Sequence, residues 1–203
     1  MMPTVPNLPN RTSQHCAARL NLTDLSAVAF LVAIDVAARI LPHAPDFTPV
    51  AATGLFAATV LRVRGLSVLV PVGAMLLGDA VLGFYDWRMM AVVYAALALP
   101  AVAACLSPRL RRPAMAVPVL LVNSLTFFGV TNFAVWALSP IYAANAAGLL
   151  KCYVAALPFL KNMAAGDLFW GLVLFGSYGI AQAAWARIAA GRLRRRRGLI
   201  AYA

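Results

Sequence analysis

Six apolar runs, set apart by Arg-bearing or Pro-bearing breaks, constrain this chain more than any other feature. They cover about Leu25 to Leu41, Val50 to Leu61, Leu66 to Gly83, Met89 to Leu106, Ala114 to Leu138 and Ala165 to Ala189. Apart from the short second run, each crosses or nearly crosses a hydrocarbon core of about 30 Å. Charged residues make up 11% of the chain, against about 25% in a soluble domain, and the mean hydropathy is +0.83. These features predict an all-α, polytopic membrane helical bundle with six transmembrane helices. The single membrane domain is expected over residues 23–190, between a Pro-rich tail at 1–22 and a basic tail at 191–203.

Between the fifth and sixth runs lies "SPIYAANAAGLLKCYVAALPFLKN", residues 139–162, apolar but punctuated by Lys151, Pro158 and Lys161. It reads as an extra interfacial or re-entrant helix, because irregular backbone at membrane depth survives only where protein or a cavity covers it.

The net charge of +11 falls between the apolar runs and at the C-terminus, which is the pattern of cytoplasmic loops rather than of a nucleic-acid surface. Arg62, Arg64, Arg109, Arg111, Arg112 and the terminal "RLRRRR" share one side if both termini are cytoplasmic. That orientation puts the loops holding His43, Asp86 and residues 139–162 outside, and a bacterial cytoplasmic (inner) membrane is the expected location. No nucleic-acid partner is expected.

All six acidic residues are Asp. With that orientation Asp24 stands at the inner start of the first helix, and the other five fall in the outer half. A carboxylate inside a span needs a partner, a watery cavity or a job. Asp35 has Arg39 one turn on, on the same helix face, where the two can pair. Ala29, Ala33 and Ala37 form a small-residue stripe about 160° away at 100° per residue. The polar pair is thus expected to face the bundle and the stripe to face lipid or a closely packed partner helix. Asp46, Asp79, Asp167, His43, Lys161, Asn132, Asn162 and Trp136 complete a polar, aromatic outer end. Apolar walls with a few orienting polar groups suit a small-molecule pocket.

Catalytic chemistries find little footing. "FGSYG" around Ser177 has no intramembrane His to act as base, and no phosphate-binding G-x-x-x-x-G-K-[ST] loop exists. Cys16, Cys105 and Cys152 form no metal-ligand spacing. The chain is read as a non-enzyme without cofactor or metal.

The blocks "RILPHAPDFTPVAATGLF", "PVGAMLLGDAVLGF", "TNFAVWAL" and "AGLLKCYVAALPFLKNMAAGDLFWGLVLFG" resemble a family of bacterial membrane proteins of unknown function. The architecture is also similar to the substrate-binding S components of energy-coupling-factor vitamin transporters. That resemblance implies an S-component-like six-helix fold and an outer ligand pocket for a vitamin-like or cofactor-precursor molecule. It further implies a transmembrane coupling protein, with its ATPases, docked on Ala29, Ala33 and Ala37. A stand-alone transporter or channel with an Asp relay and a membrane scaffold are the alternatives.

Overall fold

The computed structural model describes residues 21–201, with side chains through Arg192; most of the expected 1–22 tail lies outside the described residues. The described chain is helical, without strands. Its order is α1 (Leu22–Ile40), α2 (Val50–Val60), a 3-10 turn (Arg64–Val68) leading into α3 (Leu69–Leu82), α4 (Trp87–Leu106), a second 3-10 turn (Pro113–Met115) leading into α5 (Ala116–Leu138), and α6 (Ala146–Ala201).

Four helical segments are long and apolar enough to cross a membrane: Arg64–Leu82, Trp87–Leu106, Pro113–Leu138 and Ala146–Arg192. At 19 residues α1 has the length but carries Asp24, Asp35 and Arg39. The 11-residue α2 rises only about 16 Å at 1.5 Å per residue.

The short helix sits at the centre, packed against α1, α3, α4, α5 and α6. Val50, Ala51, Ala52, Leu55, Ala57 and Ala58 are buried. Its small residues explain the close approach of its neighbours, since backbones meet tightly only where side chains are short. A Cβ on Gly54 would stand 3.3 Å from the Pro71 ring and 3.4 Å from Ala101 Cβ. Around α2, Leu120, Met163 and Phe175 close the larger apolar core.

One end of the bundle gathers the arginine loops. Asp24 Oδ2 at the start of α1 accepts from Val63 N at 3.0 Å, just past the end of α2. Cys105 Sγ of α4 donates to Arg64 O at 3.1 Å, and Thr59 Oγ1 reaches Arg111 O at 3.5 Å. Arg62, Arg64, Arg109, Arg111 and Arg112 therefore share the end where α1 starts and α2 and α4 finish. The α1 N-terminus is capped by Asn21, whose side chain accepts from Thr23 N; that leaves Asp24 free to tie down the 61–64 turn.

The expected re-entrant segment at 139–162 is a correction. Only residues 139–145 are irregular, and α6 runs unbroken from Ala146 to Ala201, through Pro158 and Lys161. The sequence there is rich in Ala and Leu, strong helix formers. Side chains also zip it to α5, with Tyr153 Oη donating to Gly129 O at 2.6 Å and Cys152 Sγ to Asn132 O at 3.4 Å. Pro158 removes one N–H from the ladder without ending the helix. At 56 residues, α6 is about 84 Å long, so it overshoots the bundle at the arginine end, where residues 181–192 are all exposed.

Candidate ligand-binding site and buried carboxylates

The loop "LPHAPDFTP" builds the end opposite the arginines. Pro42, Pro45 and Pro49 withhold three N–H groups and keep it from becoming helix. Ala44 to Phe47 forms a turn closed by Phe47 N donating to Ala44 O at 3.1 Å. Pro45 takes the position where its fixed φ suits the turn, and Asp46 follows at φ 61°. That left-handed conformation is one Asp tolerates better than bulkier residues.

The turn drives Phe47 into the bundle. Its ring lies 5.7 Å from that of Phe169, and a Cβ on Gly166 would stand 3.1 Å from Phe47 Cα. Gly166 is thus what lets the loop backbone lie directly on α6.

Beside the turn is a cavity of 100 Å³ between the loop, α5 and α6, lined by Asp46, Phe128, Thr131, Asn132, Phe159 and Met163, among others. Thr131 Oγ1 donates to Phe127 O at 2.7 Å and Asn132 Nδ2 to Phe128 O at 2.8 Å. Each keeps acceptor capacity in hand. Asp46 is exposed as a residue, its carboxyl being the more enclosed part. Burial of its carboxyl raises its pKa above the ordinary value, with His43 and Arg39 pulling the other way. A carboxylate, a hydroxyl and an amide carbonyl over aromatic walls make a small acceptor-rich site suited to a ligand bearing N–H or O–H donors.

The remaining predicted residues divide among separate places. The expected Asp35–Arg39 pair is not made. Arg39 Nη2 instead contacts Asp79 Oδ1 of α3 at 2.5 Å, and its Nη1 donates to Met75 Sδ at 2.9 Å. The other Asp79 oxygen accepts from Tyr94 Oη at 2.7 Å. Gly78 clears the path, since a Cβ there would stand 2.5 Å from Arg39 Nε. Asp79 is thereby fully paired, as a carboxylate 2% exposed requires.

Asp35, at 0% exposure, turns to the first turn of α2. Thr53 Oγ1 donates to its Oδ2 at 2.7 Å, and Oδ1 has no protein partner. The helix N-terminus there favours negative charge. Ala29, Ala33 and Ala37 are exposed on the other side of α1.

Asp167 is deeper than the reading of α6 as a helix starting near 165 implies. It is 2% exposed and accepts from Ser124 Oγ at 2.7 Å, eight positions into α5 from the arginine end. The continuous α6 causes this, because residue 167 stands well inside the helix rather than at its start. Lys161 stays exposed on α6, lining a 380 Å³ groove between α5 and α6 beside Ser124 and Leu121. Asn162 is half-buried and His43 exposed, the latter with Nδ1 2.6 Å from Leu41 O. Trp136 Nε1 donates to Ala143 O at 3.0 Å, holding down the 139–145 loop.

Of the ten predicted ligand residues, only Asp46 and Asn132 meet in one cavity, and Arg39 and Asp79 in one ion pair. Thr53, Tyr94, Thr131 and Ser124 were not singled out, although each is a hydroxyl within an apolar helix that satisfies or flanks a buried polar group. Their signal was the mismatch between a polar side chain and its apolar run. Among the described residues no cluster of His, Cys, Asp or Glu suits a metal ion.

A model of a family of unknown function, DUF6580, matches residues 20–189. No curated protein and no solved structure matches the chain. On the extent of that match, the chain belongs to the DUF6580 family.

Proposed function

We propose that this member of the family is an integral membrane substrate-binding protein for uptake of a small vitamin-like or cofactor-precursor molecule. It takes its ligand at the end opposite the arginine loops, outside the cytoplasmic membrane, and is energised by a separate module. The observation that carries the reading is the infolded Asp46 turn, which sets a carboxylate over Thr131 and Asn132 in a cavity between α5 and α6. A loop that costs three prolines and a left-handed Asp to place is hard to explain as a mere connection. The S-component part of the reading is carried over from the sequence resemblance, and the exposed Ala stripe of α1 supports it.

Small-molecule mass spectrometry on protein purified in mild detergent tests it. A stoichiometric compound is expected in the wild type and lost from Asp46→Ala and Asn132→Ala. Protein that is empty, and that gains no thermal stability across a vitamin and precursor panel, overturns the reading.

A second reading, a stand-alone carrier with an Asp relay, is favoured by Asp35 and Asp167. Each is buried with one hydroxyl partner and no cation, the setting in which intramembrane carboxylates bind protons or cations. It predicts gradient-driven proton flux in liposomes holding this protein alone, abolished by Asp167→Asn. Flux that persists in that variant removes the relay.

A further inference from the structure

The Asp46 cavity holds 100 Å³, well short of the roughly 300–1,000 Å³ of a pocket that encloses a whole small-molecule ligand. It has a neighbour. A groove of 380 Å³ lies between the same two helices, α5 and α6, and the half-buried Leu160 lines both spaces. Leu160 is thus a partition between them.

Helical register relates the two. On α6 the cavity takes Ala156, Phe159 and Met163, and the groove takes Leu157, Lys161 and Ala164. Leu157 and Ala164 each follow a cavity residue by one position, about 100° around the helix at nearly the same height. On α5, Ser124 of the groove and Phe128 and Asn132 of the cavity recur every four residues along one face. A single stripe of α5 therefore lines both, with the groove about 10 Å nearer the arginine end. The path from cavity to groove runs sideways out of the bundle and toward the middle of the bilayer.

The groove opens to hydrocarbon. Leu125 is 62% and Leu157 52% exposed, within two of the segments long and apolar enough to cross a membrane. Its wall is apolar apart from two residues. Ser124 is buried and committed to Asp167, and Lys161 is exposed, a side chain whose methylenes can cover such a surface. A wall of this kind suits a hydrocarbon chain or ring, whereas the Asp46 cavity suits hydrogen-bonding groups.

We propose that the ligand of the Asp46 cavity is an amphiphile dissolved in the leaflet opposite the arginine loops. Its head, bearing N–H or O–H donors, lies against Asp46, Thr131 and Asn132. Its apolar body passes Leu160 and lies in the α5–α6 groove. This rests on the reading of the cavity as a ligand site and names the class of molecule it takes.

N-dodecylmaleimide is a probe of that shape, a small polar head on a saturated chain, and N-ethylmaleimide is the same head without the chain. Both are offered to Thr131→Cys, with Cys16, Cys105 and Cys152 replaced by Ser, in nanodiscs of dioleoyl phosphatidylcholine. Ala164 lines the groove and not the cavity. Ala164→Trp is expected to slow the dodecyl reagent about tenfold, equivalent to roughly 1.4 kcal/mol, and to leave the ethyl reagent unchanged. Leu160→Ala removes the partition and speeds the dodecyl reagent. Leu121→Trp fills the groove from α5 and supplies the check if Ala164→Trp fails to fold. An unchanged dodecyl rate in the filled variants, or equal slowing of both reagents, overturns the proposal. That failure would leave a water-borne ligand in the Asp46 cavity standing, whereas an empty protein in the mass-spectrometric search removes the ligand and leaves the path.

Discussion

Arg39 turns away from Asp35, one helical turn back on its own helix, and closes on Asp79 of α3 at 2.5 Å. Two carboxylates that share a height in the sequence reading thus have different fates. One is neutralised by a guanidinium and a phenol, and the other is held by a threonine hydroxyl at the mouth of a half-length helix.

The ion pair ties α1 to α3, and removing one partner leaves a buried group uncompensated. Asp79→Asn is expected to destabilise the detergent-solubilised protein by about 3 kcal/mol, toward the low end for a buried pair because Arg39 keeps some solvent contact. Arg39→Met combined with Asp79→Leu costs less than the two single changes summed. Thermal unfolding of the four proteins of that cycle checks it, and strict additivity would show that the pair carries no coupling.

The infolded loop depends on Gly166. Gly166→Leu puts a side chain where Phe47 backbone lies, so the turn lifts and the Asp46 cavity opens. Thr131, 6% exposed, is the reporter: Thr131→Cys, with Cys16, Cys105 and Cys152 replaced by Ser, reacts slowly with a maleimide. Adding Gly166→Leu speeds that reaction severalfold, and an unchanged rate would mean that the loop is held by other contacts.

The exposed Ala stripe of α1 is predicted to receive a coupling partner. Ala33→Trp projects a large ring from that face, clear of the buried Asp35 side. Uptake by cells is expected to fall to background while the purified variant keeps its ligand. Loss of ligand from that variant would place the stripe's role inside the binding protein rather than at a partner surface.

Much of this architecture is legible from hydropathy alone, and the physical reason is the uniform demand of hydrocarbon for apolar side chains. The runs from Met89 and from Ala114 end where α4 and α5 end, and Pro42, Pro45 and Pro49 mark the break before α2. The small residues of α2 read as a short span, whereas their burial on every side makes it the centre of the bundle. Residues 146–162 misled because Pro158 reads as a helix breaker and Lys161 interrupts the apolar run; an Ala- and Leu-rich helix zipped to α5 carries both.

The site was less legible. Helical spacing brings Arg39 to Asp35, but only the packing of α1 on α3 offers the competing Asp79. Likewise Asp167 looks like a helix start until α6 is seen to be continuous. Asn132 and Asp46 are far apart in sequence and meet only because Gly166 admits the loop.

The central claim, that the Asp46 cavity opens to the outside and the arginine loops to the cytoplasm, is tested most directly by labelling intact cells with a membrane-impermeant maleimide. In a background with Cys16, Cys105 and Cys152 replaced by Ser, His43→Cys is predicted to react in intact cells. Arg112→Cys is predicted to react only after lysis. The reverse pattern would put the cavity on the cytoplasmic side and contradict the uptake account.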